Sequence, residues 1–384
     1  MREVLLLTGL PYKGREYCLT SLPQQDTPEE GTCSTSVFSS SIHDPSGQVN
    51  MRLPPSLTLI TDSRFLDHDT GGDHPEIPAR FQTILATLEQ SDCFSSIGLH
   101  APRPAERQWL MAAHDEGWLF RFEEAVLSGK TFIDHTDNQI CYDSYEVATL
   151  SAGAGLAAID LLEQAGAATA TDGLMPREPG TVGTAFCLVR PPGHHAEQNR
   201  PFGFCFFNNC VVAARYWQQH YGRKRLVIFD FDAHHGNGIQ SAFEREADVL
   251  YISIHEHPSF SYPGTGYADE HGFGDGRGSI LNLPLLPGAG DEQFLALLQG
   301  PVADKIAQWQ PEAMIVAAGF DGHRNDEMSG LLYSTGLYEK IGQSVRRWSK
   351  LYCGGRLLSI LEGGYELTVL GESVEAYVRG LLGR

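Results

Sequence analysis

Four apolar runs in the second half of the chain are continuous rather than alternating, and they read LVIFDFD, VLYISIH, AMIVAAGFD and RLLSILEGGY. Such runs are typical of strands that are buried on both faces of a parallel sheet. Segments with helical spacing separate the runs, including EQFLALLQGPVADKIAQWQ and GLYEKIGQSVRRWSKLY. This alternation predicts an α/β fold with a parallel multi-stranded sheet and helices on both faces.

The preceding part of the chain repeats the alternation. SLTLIT and AFCLVRPPG predict strands, and the second of them stops at a double proline. PARFQTILATLEQ predicts a helix that begins at Pro78, a residue well suited to the first turn. SYEVATLSAGAGLAAIDLLEQAG predicts a long helix, and NNCVVAARYWQQHYG predicts a helix that ends at Gly222.

The start of the chain has a different composition, rich in Ser, Thr, Pro and Gln, as in SLPQQDTPEEGTCSTSVFSSS. Residues 1–56 are therefore predicted to be a poorly ordered extension, because such a segment lacks the apolar residues of a core. Neither a linker nor an internal repeat interrupts the remainder. Residues 57–384 are predicted to form a single domain.

Composition and charge narrow the class of protein. The 384 residues carry a formal net charge of −20, which argues against direct binding to nucleic acid or to an anionic membrane but suits cationic ligands. No apolar run approaches the roughly 18 residues of a membrane span. The eight cysteines form no Cys-x-x-Cys pair, which favours reduced thiols and a cytoplasmic location. A homo-oligomer is left open.

Polar residues cluster where the predicted strands end. RPPGHH, DFDAHHGNG, GFDGH and LEGGY each follow a different apolar run. Open parallel sheets bind ligands at the edge formed by the carboxyl ends of their strands. The sequence therefore predicts a functional site at this edge, built from four separate loops.

Two of these loops predict a metal site. Asp232 and His234 are two residues apart on an extended segment, so both side chains point to the same side. Asp321 ends another strand in the same way. Two carboxylates and one imidazole leave a position open for water or substrate, which is typical of catalytic zinc. Such ligands also accept Fe(II), cobalt or manganese, so zinc is the preferred metal among several.

The other two loops supply candidate catalytic groups. Tandem His194 and His195 follow the double proline, and the neighbouring strand end is expected to carry the metal. A histidine can act as general base when a partner orients its second nitrogen, and Asp230 and Asn237 are candidates for that role. Tyr365 is a candidate donor to a developing oxyanion. With a metal, these groups predict hydrolysis of an amide.

The motifs RPPGHHA, GFCFFNN, DFDAHHGNG, YPGTG, GFDGH and LEGGY follow one another in this order. In kind and order they resemble the histone deacetylase family, most closely its class II and bacterial members, which include acetylpolyamine amidohydrolases and acetoin-utilisation proteins. The resemblance covers about residues 57–384. It implies an arginase–deacetylase fold and a zinc-dependent enzyme that removes acetyl or related acyl groups from lysine side chains or similar acylated amines.

The resemblance also implies roles for individual residues. The residues that resemble zinc ligands are Asp232, His234 and Asp321, with Fe2+ as an alternative metal. The residues that resemble ligands of a structural potassium ion (K+) are Asp230, Asp232, His234 and Ser253. The residues that resemble catalytic groups are His195 as general base, His194 as its charge-tuning neighbour, Asp230 and Asn237 as their partners, and Tyr365 as oxyanion donor.

A further set resembles the substrate-binding residues of the family, namely Gly203, Phe204, Tyr262, Met328, Asp143 and Gly363. The family commonly has Phe where Tyr262 stands, which implies a more polar wall here. Met328 occupies the place where polyamine-selective relatives carry a glutamate. Strict selectivity for polyamines is therefore not expected.

Two alternatives remain open. Binuclear-manganese ureohydrolases share the fold but resemble Asp-Ala-His-x-Asp at this strand end, and here the last position is Gly236. The missing carboxylate disfavours two metals. The other alternative is a catalytically inactive acyl-lysine-binding protein, and the intact Tyr365, His195 and three-ligand set argue against it.

Overall fold

The continuous apolar runs form the centre of one eight-stranded parallel sheet. The computed structural model describes residues 56–171 and 183–384, so the predicted extension lies outside the described residues except for Ser56. The strands in chain order are β1 (Leu57–Ile60), β2 (Ile97–His100), β3 (Phe132–Ile133), β4 (His135–Gln139), β5 (Thr184–Cys187), β6 (Leu226–Asp230), β7 (Val249–Glu256), β8 (Ile280–Leu285), β9 (Ala313–Ala318) and β10 (Leu357–Leu361). Strands β3 and β4 form a separate antiparallel pair.

The order of the sheet is β2-β1-β5-β10-β9-β6-β7-β8. Strands β5 and β6 follow each other along the chain, yet β10 and β9 lie between them. The expectation that the tandem histidines follow a strand next to the metal strand is therefore wrong. One strand, β10, separates β5 from β9, which leads to Asp321, and two strands separate β5 from β6, which leads to Asp232 and His234, because the last two strands of the chain insert between earlier ones.

The described helices agree with most of the predicted ones. They are α1 (Pro78–Gln90), α2 (Arg107–Met111), α3 (Glu116–Leu127), α4 (Ser144–Thr171), α5 (Asn209–Tyr221), α6 (Asn237–Phe243), α7 (Asp291–Leu297), α8 (Ala303–Trp309), α9 (Thr335–Tyr352) and α10 (Leu367–Leu382). Gly222 ends α5 in the left-handed conformation, with φ +68°. A π-helical turn at Leu298–Val302 separates α7 from α8, because Pro301 lacks the N–H of a regular helix.

Helices cover both faces of the sheet, as predicted. On β10, the Ser359 hydroxyl lies 2.7 Å from the Tyr377 hydroxyl of α10. The next residue, Ile360, points the opposite way, and its Cδ1 would lie 3.7 Å from a Cβ placed on Gly155 of α4. Successive strand residues face opposite sides. Helices α10 and α4 therefore lie on opposite faces.

Helix α4 contains a stretch, Ser144–Gly166, that is long and apolar enough to cross a membrane by length and composition alone. Within the fold, 72% of the most apolar part of this stretch is buried. The helix contacts α5 and three strands, β1, β5 and β10. In this structure its apolar character is accounted for by packing in the core.

Some elements were not predicted from the sequence, namely β2, β8, the β3–β4 pair and the helices α2, α3, α6 and α10. Strands β2 and β8 form the two edges of the sheet. Edge strands are covered on fewer sides, so their residues include exposed or polar ones such as His100 and Asn282. The continuous apolar pattern that revealed the central strands is therefore absent there.

Candidate active site

The three residues predicted as metal ligands converge beyond the ends of β6 and β9 and are here called the metal triad: Asp232, His234 and Asp321. One ligand atom of each lies within 4.8 Å of the others, and all three side chains are buried. His234 Nδ1 lies 3.1 Å from Asp232 Oδ1 and 2.9 Å from Asp321 Oδ2. Backbone N–H groups of Ala233 and Gly363 donate to the remaining carboxylate oxygens.

The electrostatics of the metal triad suit a divalent cation. Burial and the adjacent Asp232 carboxylate raise the pKa of Asp321 to about 6. Burial lowers the pKa of His234, but Asp321 and Asp232 outweigh it and raise that pKa well above its ordinary value. A cation between two buried carboxylates removes their mutual repulsion. Two oxygen donors and one nitrogen donor fit zinc or Fe(II).

His234 presents one nitrogen to the triad and uses the other elsewhere. Its Nε2 donates to the backbone oxygen of Met328 at 3.1 Å. This bond leaves Nδ1 as the ligand atom and fixes the ring plane. Met328 itself is 36% exposed, and its side chain carries no charge.

His194 lies between two carboxylates. Its Nδ1 donates to Asp230 Oδ2 at 3.1 Å, and its Nε2 lies 3.9 Å from Asp232 Oδ1. Burial lowers the pKa of His194, but Asp232 and Asp230 outweigh this effect and raise the pKa to about 10. The Tyr251 hydroxyl also donates to Asp230 Oδ2, at 3.0 Å. In this arrangement His194 is protonated at neutral pH.

His195 has the opposite character. Its Nδ1 lies 2.8 Å from Asn237 Oδ1, and its ring centroid lies 4.0 Å from that of His194. Burial, followed by the positive charges of His194 and His234, lowers the pKa of His195 well below its ordinary value. His195 is therefore neutral at physiological pH and able to accept a proton.

Tyr365 follows the turn at the end of β10, where Gly364 adopts φ +115°. Its ring lies 5.7 Å from Phe204, and the Arg80 guanidinium lies 4.7 Å from the ring centroid. Asp326 Oδ2 accepts a hydrogen bond from the Tyr365 backbone N–H at 2.6 Å. Burial raises the pKa of Tyr365 well above its ordinary value, although Arg80 opposes the effect. The hydroxyl therefore keeps its proton and can donate it in a hydrogen bond.

Glu362 holds two loops together and was missed in the sequence analysis. Its Oε2 accepts from the backbone N–H groups of Gly193 at 2.7 Å and His194 at 3.0 Å. Burial raises the pKa of this carboxyl to about 7, although the His194 charge opposes it. The available signal was the acidic residue at the end of a continuous apolar run, the same signal that identified Asp230.

A second buried set, here called the ion cluster, consists of Glu76, Arg80 and Arg190 and was also missed. Arg190 donates twice to the Glu76 carboxylate, at 2.6 and 2.8 Å, and Arg80 donates once, at 3.0 Å. Arg80 also donates to the backbone oxygens of Glu362 and Gly364. The ion cluster thereby fixes the backbone that leads to Tyr365.

The residues predicted to line the substrate tunnel lie close to His195. A Cβ on Gly203 would lie 2.5 Å from His195 Cδ2 and 3.0 Å from Tyr262 Cε1, so only glycine fits there. Gly203 and Phe204 both have positive φ, +50° and +69°. The Tyr262 ring lies edge-on to His195, with 5.1 Å between centroids. Tyr262 and Gly203 therefore lie against each other and against the candidate base.

Two other predicted substrate residues lie in different surroundings. Asp143 is exposed immediately before α4. Gly363 touches the metal triad instead of a tunnel wall, since a Cβ on it would lie 2.3 Å from Asp321 Oδ2 and 2.6 Å from Asp232 Oδ2. The small size of Gly363 gives its N–H access to Asp232.

The residues predicted to hold potassium lie near the same strand end. Ser253 of β7 is the register partner of Asp230 of β6. The Ser253 hydroxyl lies 2.7 Å from His255 Nδ1. His255 Nε2 donates to the Gly266 oxygen, so Nδ1 is the acceptor and Ser253 is the donor. Potassium binding stays a prediction.

The surroundings of Gly236 bear on the two-metal alternative. A Cβ at this position would lie 2.5 Å from Asp230 Oδ2 and 2.7 Å from the Tyr251 hydroxyl. Those two groups are engaged in holding His194. A bridging carboxylate therefore has no space at position 236 in this arrangement.

Comparison with known proteins agrees with the fold and the site. The histone deacetylase domain matches residues 74–381. The chain therefore belongs to the histone deacetylase family, a family of hydrolases. This result confirms the predicted family and, with the structural comparison, the arginase–deacetylase fold.

Particular relatives come from plants and bacteria. The chain is 34% identical over 368 residues to "Histone deacetylase 10, chloroplastic" of Oryza sativa subsp. japonica, covering 91% of this chain and 80% of the relative. It is 33% identical over 325 residues to "Histone deacetylase-like amidohydrolase" of Pseudomonas aeruginosa, covering 85% and 79%. The crystal structure of the HDA15 HD domain is similar with a TM-score of 0.76 and 33% identity, covering 85% of this chain and 90% of that one.

Proposed function

We propose that the protein is a zinc-dependent amidohydrolase that removes acetyl or related acyl groups from lysine side chains or similar acylated amines. One observation carries the proposal: the metal triad, a neutral His195 and a protonated Tyr365 hydroxyl occur together at one buried edge of the sheet. Membership of the histone deacetylase family supports the reaction class.

Zinc is the proposed metal, with Fe2+ as the alternative, because both accept two carboxylates and one imidazole. Asp232, Asp321 and His234 Nδ1 would hold it. When bound, such a cation polarises the acyl carbonyl and lowers the pKa of a water molecule. Metal analysis of the purified protein should give about one catalytic divalent ion per chain. Two ions per chain would favour a binuclear ureohydrolase instead.

The side chains divide the proton transfers among themselves. His195 accepts a proton from the attacking water at Nε2, while Asn237 holds Nδ1. Tyr365 donates a hydrogen bond to the oxyanion that develops on the acyl oxygen. His194, kept charged by Asp230 and Asp232, stabilises the same negative charge. His195 then passes its proton to the departing amine.

A potassium ion is the second proposed cation, held by Asp230, Asp232, His234 and Ser253. The proposal rests on the resemblance, and the closeness of Ser253 to Asp230 supports it. Potassium at this place would reduce the negative charge that acts on His194. Replacing potassium with a large organic cation should change kcat and the melting temperature, and an identical enzyme in both salts would contradict the proposal.

An acylated lysine side chain or a comparable acylated amine is the proposed substrate. The exposed Asp143 carboxylate is suited to accept hydrogen bonds from the backbone of a peptide. Met328 neither attracts nor repels a second ammonium group. A panel of acetyl-lysine peptides, acetylpolyamines, longer acyl-lysines and acetyl esters tests the substrate class. No turnover with any acylated amine would contradict the proposal.

The last part of the proposal concerns the cellular location of the protein and its macromolecular partners. We propose a cytoplasmic enzyme without a direct nucleic-acid or membrane partner, with homo-oligomerisation left open to measurement. The net charge of −20 supports the first two exclusions. All six cysteines in the described part of the chain are free, which suits a reducing compartment. Cell fractionation would test the location.

A further inference from the structure

The orientation of one amide determines where His195 carries its proton. An Asn237 amide that turns its oxygen toward His195 Nδ1 requires a proton on Nδ1 and leaves Nε2 free to accept. The reverse orientation presents NH2 to Nδ1 and requires the proton on Nε2. Only the first arrangement makes Nε2 a base.

Glu197 lies on the other side of this amide. Asn237 Nδ2 donates to Glu197 Oε1 at 2.9 Å and to the backbone oxygen of His195 at 3.3 Å. An ionised carboxylate and a carbonyl can only accept hydrogen bonds. The NH2 end of Asn237 must therefore face Glu197, and its oxygen is directed at His195 Nδ1, 2.8 Å away.

Glu197 is itself held in place. Arg200 Nε donates to Glu197 Oε2 at 2.8 Å, and the Glu197 backbone N–H donates to the Arg200 oxygen at 3.1 Å. His114 Nδ1 donates to the Glu197 backbone oxygen at 3.0 Å, while His114 Nε2 accepts from the Asn208 N–H at 2.9 Å. The acceptor that orients Asn237 is thus fixed through both its side chain and its backbone.

Arg200, which holds Glu197, is also connected to the predicted substrate tunnel. The Arg200 guanidinium lies 5.0 Å from the ring centroid of Phe202. Phe202 stacks on Tyr262 with centroids 5.2 Å apart, and Tyr262 lies 5.1 Å from His195. The contacts therefore close a ring that begins and ends at His195.

We propose that Glu197 is a positioning residue that fixes the Asn237 amide and, through it, the tautomer of His195 with the proton on Nδ1. Glu197 acts through Asn237 and does not touch the substrate. The inference rests on the proposed function, because it assigns His195 Nε2 as the base. It adds a residue that no motif of the sequence analysis used.

The direct test is 15N NMR of the zinc-loaded full-length protein labelled at histidine, with His195 assigned by the loss of its signals in His195→Gln. In the wild type, the His195 shifts should be those of a neutral ring protonated at Nδ1. In Glu197→Met, which removes the acceptor at similar size, the shifts should move toward a mixture of tautomers. Turnover should fall about tenfold in kcat with KM unchanged, as for other residues that orient a ligand or base.

An exchange of donor and acceptor sharpens the test. Asn237→Asp places two carboxylates in contact, and Glu197→Gln leaves Asn237 and Arg200 to share one acceptor oxygen. In the double variant, the new amide at position 197 would donate to the new carboxylate at position 237 and accept from Arg200. That carboxylate would in turn accept from His195 Nδ1. Each single variant should lose kcat, and the double variant should recover most of it.

The control is Asp115→Asn, which neutralises an exposed carboxylate. This carboxylate accepts a hydrogen bond at 2.8 Å from Gln198, the residue that follows Glu197. The His195 tautomer and the kcat of this variant should equal those of the wild type. An unchanged His195 tautomer in Glu197→Met, or a double variant as slow as the product of the two singles, would overturn the inference. A wild type without deacylase turnover would refute the proposed function, while the NMR result would still decide the role of Glu197.

Discussion

The metal triad and the ion cluster are both buried sets of charged residues, and they differ in how their charge is balanced. In the ion cluster, the Glu76 carboxylate contacts two guanidinium groups, Arg80 and Arg190. The remaining guanidinium N–H groups donate to backbone oxygens. In the metal triad, two carboxylates share a single imidazole. In the first set the carboxylate is fully compensated, and backbone oxygens stabilise the one excess positive charge. In the second set negative charge is in excess.

The pKa shifts follow from this difference. Burial raises the pKa of Glu76, but Arg190 and Arg80 outweigh it and lower the pKa to about 2. Burial and Asp232 raise the pKa of Asp321 to about 6. A buried charge by itself therefore does not identify a functional site. What distinguishes the two sets is whether the fold supplies the opposite charge or leaves it to a ligand.

The largest expected effect comes from changing the metal triad. Asp321→Asn should abolish metal binding and lower kcat roughly a thousandfold or more, because a catalytic cation contributes several kcal/mol to the transition state. The free energy of unfolding of the chelated protein should not fall, since one of two repelling carboxylates is neutralised. Elemental analysis, kinetics and urea denaturation measure the three quantities.

The matched control for this variant is Asp304→Asn, an exposed residue in the first turn of α8. It should keep its metal and its turnover. Full metal content in Asp321→Asn would show that the metal triad does not hold the metal.

Changing the ion cluster should affect stability first. Glu76→Gln leaves two buried guanidinium groups without a counter-ion, so the free energy of unfolding should fall by about 3–5 kcal/mol. Urea denaturation measures this loss. Glu89→Gln, an exposed change on α1, the helix that carries Arg80, should alter stability by less than about 0.5 kcal/mol. Equal stability of both variants would mean that the ion cluster is not what stabilises this edge.

The pH dependence of the same variant has a definite sign. The folded-state pKa of Glu76 is about 2, below its ordinary value of 4.5. Its contribution to stability is therefore fully present above about pH 4.5 and is lost as the pH falls toward 2. The difference in stability between wild type and Glu76→Gln should therefore be constant above about pH 4.5 and should narrow as the pH falls from there toward 2. A difference that also stays constant over that lower range would contradict the assigned pKa.

Tyr365 contacts Arg80 of the ion cluster, and Tyr365→Phe should leave both the ion cluster and the metal triad intact. The variant keeps the ring beneath Arg80 and removes only the hydroxyl, so kcat should fall about 100- to 1000-fold with metal retained. Kinetics and elemental analysis on one preparation measure both. Tyr352→Phe on α9 serves as the control with unchanged turnover. A Tyr365→Phe enzyme as fast as wild type would remove the oxyanion role.

The smallest effect is expected where a charge is added in contact with solvent. Met328 is 36% exposed, so Met328→Glu should change stability by less than about 0.5 kcal/mol. The new carboxylate should raise kcat/KM for acetylpolyamines relative to acetyl-lysine peptides about three- to fivefold, the size of an exposed ion pair. Met328→Gln provides the uncharged control. The same preference in both variants would exclude an electrostatic effect.

Much of the site was predictable because its parts are local. Asp232 and His234 stand two residues apart at the end of a continuous apolar run, and the geometry of an extended chain places them together. The pairing of Asp230 with His194 and of Asn237 with His195 also agrees with the prediction. Each of these residues lies in a motif whose type and order could be recognised.

The ion cluster and Glu362 were not predictable in the same way. Glu76 and Arg190 are 114 positions apart, and Arg80 reaches the backbone of Glu362 and Gly364 from more than 280 positions away. Glu362 does end a continuous apolar run, but nothing local to Glu76, Arg80 or Arg190 distinguishes a buried charge from an exposed one. The partners of Glu362 become apparent only when β10 lies beside β5.

The sequence by itself determined the class of fold, the edge at which the site lies and the residues of the metal triad, because these depend on strand and helix periodicity and on short spacings. Only the tertiary structure decided the order of the strands, the pairing of Glu76 with Arg190 and the partner of the Asn237 amide. Those features depend on contacts between distant segments. Burial then makes each such contact matter, since a polar group removed from water must find its partner within the fold.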